Sequence, residues 1–217
     1  MKPLLVATTN PAKLEEYRLL LRGYDLAPLS LREAGVDHDA PEETGATFVE
    51  NALLKARYYF TRAHLPTIAD DGGLMVDALG GEPGVRSHRW LAGDGADSAI
   101  AGAHADLDRA LAEEVIRRMA GVEPARRGAR LRAAVALVYE DDGRVRERVS
   151  EASLEGVVAE RVWPRMRPGF PYRAVLFLPE RGCYLGELSD EEAARLSQRR
   201  AALEGLHADL LRIAGSR

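Results

Sequence analysis

The chain is 217 residues long, enough for one large domain or two lobes sharing a core, and its 46% hydrophobic and 29% charged residues are those of a globular protein. A formal net charge of -4 argues against nonspecific binding to bulk nucleic acid, which needs a strongly basic face. The single cysteine, Cys183, excludes an intrachain disulfide, Met1 to Ala7 is too short an apolar run for a signal peptide, and no run is long enough to span a bilayer; the expectation is a cytoplasmic protein with no membrane and no nucleic-acid partner.

In chain order, Leu4 to Ala7 reads as a short buried strand. Asn10 or Thr9 caps a helix with Pro11 in its first turn, and Leu14, Tyr17 and Leu20 or Leu21 follow at helical spacing. Leu26 to Leu29 is the next strand, and Asp37 to Gly45 is polar and loop-like. Thr47 to about Arg62 reads as a helix with Phe48, Ala52, Lys55 and Tyr59 on one side. Thr67 to Ala69 is a strand that ends at Asp70-Asp71-Gly72-Gly73, and Gly80 to Gly84 is a turn cluster. Asp106 to Ala120 is an amphipathic helix carrying Leu107, Leu111, Val115 and Met119. Leu131 to Tyr139 and Arg144 to Leu154 are strands joined by Asp141-Asp142-Gly143, a hairpin signal, and Val175 to Leu178 is a further strand. Ser189 with Glu192 forms a capping box that opens one last helix bearing Leu196, Leu203, Leu206 and Leu210. Strands and helices alternate and a hairpin follows, so the fold class is α/β with a mixed sheet. Neither a Walker P-loop nor a G-x-G-x-x-G fingerprint is present.

The basic residues are 27 arginines and three lysines, Lys2, Lys13 and Lys55. An ammonium is a compact point charge and a guanidinium a planar fork, so the two are not interchangeable in a tight phosphate site. Lys13 closes the segment Thr8-Thr9-Asn10-Pro11-Ala12-Lys13, a strand-to-helix junction whose free N–H groups and positive dipole end attract an anion. A lysine in a first helical turn opposes the dipole, a conflict that a bound phosphate removes; the plainer account is an ordinary cap with a solvated lysine. Lys55 shares a helix face with Asn51, behind the loop acids Glu42 and Glu43; it either reaches a phosphate beside a metal-binding carboxylate or snorkels from an acidic helix start. Asp70 and Asp71, adjacent at the end of a buried strand, repel unless a hard cation such as magnesium offsets them, or unless they form an exposed turn. In Gly169-Phe170-Pro171-Tyr172-Arg173, Phe170 is placed to stack on a base or to pack in the core, and Gln198 and Arg199 on the last helix either read a base edge or face solvent.

The order and spacing of these segments resemble one family, the inosine/xanthosine triphosphate pyrophosphatases, also called non-canonical purine NTP pyrophosphatases. The resemblance covers nearly the whole chain and rests on Ala7 to Lys13, Glu43-Thr44-Gly45, Thr47 to Ala52, Lys55-Ala56-Arg57, Ala69 to Leu74, Val76 to Gly81 and Pro83-Gly84. It implies a single domain, 1–217, built on a long mixed twisted sheet with flanking helices, in two lobes around a central cleft. It implies hydrolysis of an NTP to the monophosphate and pyrophosphate, by a protein that is a homodimer. Thr8, Thr9, Asn10, Lys13 and Lys55 would hold the triphosphate, and Gly72, Phe170, Tyr172, Arg173, Gln198 and Arg199 the rest of the substrate. Asp71, with Glu42 or Glu43, would hold Mg2+, and Asp71 would act as base for the attacking water, with Lys13 and Lys55 as its catalytic partners.

Departures cluster at base recognition. Gly72 stands where the family has serine, Arg173 where it has an aspartate, Gln198 where it has histidine and Ala193 where it has lysine. A changed or relaxed base preference is the expectation, since a polar pocket mismatched to its ligand loses affinity steeply. The alternatives are a nucleotide-binding relative that has lost turnover and a generic α/β metal phosphatase releasing orthophosphate.

Overall fold

The structure, a computed structural model, describes residues 1–36, 40–91 and 104–215. Asp37 to Asp39, part of the expected polar loop, lie outside the described residues. In chain order the elements are β1 (Lys2–Val6), α1 (Pro11–Leu20), β2 (Leu26–Leu29), α2 (Phe48–Ala63), β3 (Thr67–Val76), α3 (His104–Arg118), β4 (Gly128–Asp141), β5 (Arg144–Val158), β6 (Leu176–Leu178), β7 (Cys183–Tyr184), α4 (Asp190–Leu196), α5 (Gln198–Glu204) and α6 (His207–Gly215). The seven strands form one mixed sheet in the order β2-β1-β3-β4-β5-β6-β7. The first three are parallel, and β5-β6 and β6-β7 are antiparallel. No helix among the described residues is long and apolar enough to cross a membrane.

Two compact units divide the chain. The first takes Met1–Asp71, Ala133–Ala152 and Ala194–Arg217. Its core joins Leu4 and Val6 of β1, Tyr17 and Leu20 of α1, Ile68 of β3, Val135, Leu137 and Tyr139 of β4, and Leu203, Leu206, Leu210 and Ile213 from the C-terminal helices. Local signals set its helix starts. Asn10 caps α1, its side chain accepting from the amides of Ala12 and Lys13, with Pro11 at the first position. Thr47 and Glu50 form a reciprocal capping box on α2, which ends at His64 in the left-handed conformation. β4 turns into β5 through Asp142 and Gly143, both at positive φ (50° and 70°), as a tight two-residue hairpin requires.

The second unit takes Gly72–Arg132 and Ser153–Ala193. Leu111 and Val115 of α3, and Met119 directly after it, are buried, as their spacing predicts. The buried guanidinium of Arg127 donates to the carbonyls of Met119, Val158 and Ala159, so one side chain serves the end of α3 and the end of β5.

Two expectations need correction. The strand expected at Thr67 to Ala69 does not end at the aspartates: β3 continues through Asp70-Asp71-Gly72-Gly73 to Val76. Those glycines are extended, not turning, and Gly73 is required by contact, since a Cβ there would lie 1.9 Å from Ser87 Oγ. The last helix is not one rod but three, α4, α5 and α6. Ser197 leaves helical geometry (φ -64°, ψ 146°) and its hydroxyl accepts from the amide of Arg200, capping a new helix. The expected box of Ser189 and Glu192 does open α4.

Candidate functional site

The β2-β1-β3 order places a topological switch at β1. The chain leaves β1 through α1 to β2 on one side and returns through α2 to β3 on the other. With right-handed crossovers, α1 and α2 cover opposite faces, and the crevice between them opens beyond the end of β1. In register, Leu5 and Val6 sit opposite Thr67 and Ile68, and Ala7 donates to the carbonyl of Ile68. β1 then stops while β3 continues. Asp70 and Asp71 therefore stand past the end of β1, beside the loop Thr8-Thr9-Asn10.

Successive strand residues point to opposite faces, and the two aspartates use that alternation. Asp70 turns to α1 and α5. Its Oδ2 lies 3.0 Å from Lys13 Nζ and accepts from Arg199 Nε at 2.9 Å; Arg199 NH1 reaches Glu16 Oε2 at 3.2 Å. Asp71 turns to α2. Its Oδ1 lies 3.4 Å from Lys55 Nζ, and its Oδ2 accepts from Asn51 Nδ2 at 3.2 Å. Lys55 also donates to Glu43 Oε1 at 2.8 Å. Asn51 is fully buried with both ends of its amide engaged, because its Oδ1 accepts from the amide of Gly45 at 2.8 Å. Six polar side chains of the first unit thus converge on two adjacent carboxylates, Glu16 through Arg199 and Glu43 through Lys55. Lys13, Asp70, Asp71 and Arg199 are exposed by only 7%, 2%, 4% and 5%, so their charges interact through the interior and not through water.

Burial lowers the Lys13 ammonium despite Asp70, with Arg199 and Lys55 adding to the fall. Burial alone would lower Lys55 as well, but Asp71, Glu43 and Asp70 outweigh it and hold Lys55 above its ordinary value. Asp70 resists its own burial: Arg199, Lys13 and Lys55 hold it well below the usual carboxylate range. Asp71 moves the other way, pushed up first by burial and further by Glu43, with Lys55 opposing. Such opposed environments on neighbouring carboxylates mark the places where proton chemistry is arranged.

Lys55, Asp71 and Glu43 are brought together, while Lys13 pairs with Asp70 and not, as expected from the sequence, with Asp71. Between the two loop acids, it is Glu43 that reaches Lys55, while Glu42 is exposed. The amides expected to be free at the start of α1 are taken: Asn10 donates to Thr8 Oγ1, and Ala12 and Lys13 donate to Asn10 Oδ1. Arg199, expected to read a base edge or face solvent, is buried against Asp70 and Glu16, and Gln198 is buried beside it. Gly72, Phe170, Tyr172 and Arg173 belong to the second unit. There the Arg173 guanidinium stacks 3.8 Å over the Phe170 ring, Tyr172 Oη donates to the Ser87 carbonyl at 2.5 Å, and Asp108 accepts the amide of Gly169 at 2.6 Å.

Sequence reasoning undervalued Asp70, Glu16 and Asn51. Glu16 follows Lys13 by three positions, which reads as an ordinary surface pair. Only the burial of both shows otherwise. Asn51 carries a signal in its spacing of four from Lys55.

No group of three or more His, Cys, Asp or Glu suited to a metal occurs among the described residues. The donor set that does exist is Asp71 and Glu43, drawn to the one Lys55 ammonium. Two carboxylates suit a small hard cation such as magnesium, which takes one or two of them and completes its shell with water and phosphate oxygens.

Fold and site together define an α/β protein with a buried, lysine-bearing carboxylate cluster at a sheet switch point. A model of the Ham1 family matches residues 4–209. A dITP/XTP pyrophosphatase of Geobacillus kaustophilus is 39% identical, the match covering 100% of this chain and 98% of that one. A second of that description, from Bacillus subtilis, is 36% identical over 95% of this chain and 96% of its own. Among solved structures, a HAM1 protein from Coxiella burnetii superposes with a TM-score of 0.76 at 31% identity, covering 98% of this chain and 100% of that one. The Ham1 protein of Staphylococcus aureus gives 0.74 at 28%, covering 96% and 98%. The chain belongs to the Ham1 family.

Proposed function

We propose that this chain hydrolyses nucleoside triphosphates of the non-canonical purine class to the monophosphate and pyrophosphate, with magnesium bound at Asp71 and Glu43. As a Ham1 member with dITP/XTP pyrophosphatases at 36% to 41% identity over nearly its full length, the chain is a hydrolase of phosphoric anhydrides. The observation that carries the site reading is that Lys13 and Lys55, from two different helices, meet adjacent carboxylates of one strand at 3.0 Å and 3.4 Å.

Lys13 with the hydroxyls of Thr8 and Thr9, and Lys55 from the other face, hold phosphate oxygens over which charge spreads in the transition state. Asp71 orients a water toward the α-phosphorus and accepts its proton, a task suited to a carboxylate raised by burial and by Glu43. The new bond joins water oxygen to the α-phosphorus. The bond from that phosphorus to its bridging oxygen breaks, and pyrophosphate leaves with the electron pair. Bound magnesium supplies neutralisation of the phosphate charge. Asn51 keeps Asp71 aimed by its committed amide.

Within the second unit, Phe170, with Arg173 stacked on it, is the candidate for base reading. Arg173 in place of an aspartate supports a relaxed or shifted base preference. Resemblance alone supports one catalytic domain and a homodimer, and the single cysteine with no long apolar run supports a cytoplasmic setting.

The test is pyrophosphate release from a panel of ITP, XTP, dITP and the four standard NTPs, with and without magnesium. Turnover of a 6-oxo purine that needs the metal is expected, and Asp71→Asn should lower kcat at least about 100-fold. Binding without release, or release of orthophosphate, would overturn the proposal.

A further inference from the structure

Resting on that reading, we infer that Asp108 is a positioning residue for Phe170, holding the turn at Gly169 so that the ring is set for a base before a nucleotide arrives. Asp108 lies on α3 in step with Leu111, Ala112 and Val115, at helical spacing. Those three are 1% exposed or less and Asp108 itself is 7% exposed, so a carboxylate occupies the apolar face of the helix. A buried carboxylate is costly unless a donor meets it, whereas an apolar side chain there would extend the packed face at no such cost. The donor comes from a distant loop: Asp108 Oδ2 accepts the Gly169 amide at 2.6 Å, a short, charge-assisted bond.

That amide belongs to the residue before Phe170. Gly169 has φ 83°, a conformation that side chains avoid. Glycine populates many backbone states, and the bond to Asp108 selects this one. After Phe170 the chain is fixed separately. The Arg173 amide donates to the Phe170 carbonyl at 3.2 Å within a short 3-10 helix, Pro171–Ala174, and Tyr172 Oη donates to the Ser87 carbonyl. Burial holds the Tyr172 phenol above its ordinary value and the Asp108 charge adds to this, so the two anchors are neighbours.

Phe170 is therefore clamped at both ends, by α3 before it and by Ser87 after it, all within the second unit. Pro171 to Ala174 are buried while Phe170 is half-buried, so the ring is the presented part of the segment. A ring ordered in advance loses less conformational freedom on stacking than one in a loose turn. Asp108 thus raises affinity for the base without touching the nucleotide.

Ligands with and without a base separate this role from a general structural one. The probes are α,β-methylene-ITP, whose P–C–P link replaces the bond to be cleaved, and inorganic tripolyphosphate, each titrated calorimetrically with magnesium present. Asp108→Leu should weaken α,β-methylene-ITP about tenfold, the scale of one stacking contact, and leave tripolyphosphate within about twofold. In turnover of ITP the loss should fall on KM and not on kcat, as for an interaction made equally in ground and transition states. Asp108→Asn, which keeps an oxygen for the Gly169 amide, should recover affinity to within about threefold of wild type. In a Phe170→Ala background Asp108→Leu should add less than about twofold, because residues acting through one another are not additive. If Asp108→Leu does not fold, Asp108→Glu, whose longer arm displaces the acceptor, carries the same comparison. Both ligands weakening together, an unchanged α,β-methylene-ITP affinity, or an Asp108→Asn as impaired as Asp108→Leu overturns the inference. A wild-type chain that binds α,β-methylene-ITP more tightly than tripolyphosphate but releases pyrophosphate from no nucleotide would instead overturn the proposed activity, leaving the positioning role intact.

Discussion

Asp70 and Asp71 show how one residue step along a strand changes a carboxylate's chemistry. Asp70 meets two cations and is held in its charged form; Asp71 meets one, together with the negative charge of Glu43, and is raised. The signs lead to opposite stability effects. A depressed carboxylate contributes stability that is present above its unfolded value and is lost as pH falls through the folded one. A raised carboxylate costs stability above its folded value, and the cost disappears as the pH falls and it protonates. In metal-free protein at neutral pH, Asp70→Asn should therefore destabilise by about 3 to 5 kcal/mol, since it unbalances a buried charge network. Asp71→Asn should stabilise by on the order of 1 kcal/mol while removing turnover, the usual exchange at a functional site. Both differences should narrow as pH falls below the usual aspartate range, measured by urea unfolding in the presence of a chelator. A more stable Asp70→Asn, or a less stable Asp71→Asn, would contradict these environments.

At the scale of elements, the starts of α1 and α2 were legible because caps are local: Asn10-Pro11 and Thr47 with Glu50 announce them within four residues. The break at Ser197 was not. Leu196, Leu203, Leu206 and Leu210 keep helical spacing across it, and a serine inside such a pattern reads equally well as a solvent-facing helical residue. Its effect shows in the structure, where the hydroxyl accepts from the Arg200 amide at 3.1 Å. Ser197→Ala should cost about 1 kcal/mol of unfolding free energy by losing that cap. Urea unfolding checks this, and an unchanged midpoint would mean that the cap contributes nothing. β3 was misjudged for a related reason. Asp-Asp-Gly-Gly is turn chemistry by composition, and only a neighbouring segment holds it extended.

At the scale of the whole molecule, the sheet order decides where the site lies. Because β1 ends at Val6 while β3 runs on, the loop after β1, the N-terminal half of α1 and the inner face of α2 all address the same pair of aspartates. In the second unit, β3 is locked by Ser87, whose Oγ accepts the Leu74 amide at 3.1 Å and donates to the Gly84 carbonyl at 2.6 Å. Gly73→Ala would drive a methyl into this group, 2.6 Å from the Gly84 carbonyl as well. We expect a loss of about 1 to 3 kcal/mol on thermal unfolding, typical of overpacking, with Gly73→Ala no more tolerated at low temperature than at high. An unchanged melting temperature would mean that the segment yields.

By itself the sequence determined the alternation of strands and helices, the caps that start α1 and α2, and the residue types from which the site is built: Lys13, Lys55 and the aspartate pair. These are local facts, expressed in spacing and side-chain chemistry over a few positions. Tertiary structure alone decided which cation each aspartate meets, that Glu43 and not Glu42 joins Lys55, and that Arg199 turns inward. Arg199 and Asp70 are 129 residues apart, and no local pattern encodes a pairing across that distance. It arises only when the sheet brings both chains together and burial excludes the water that would otherwise have solvated each charge.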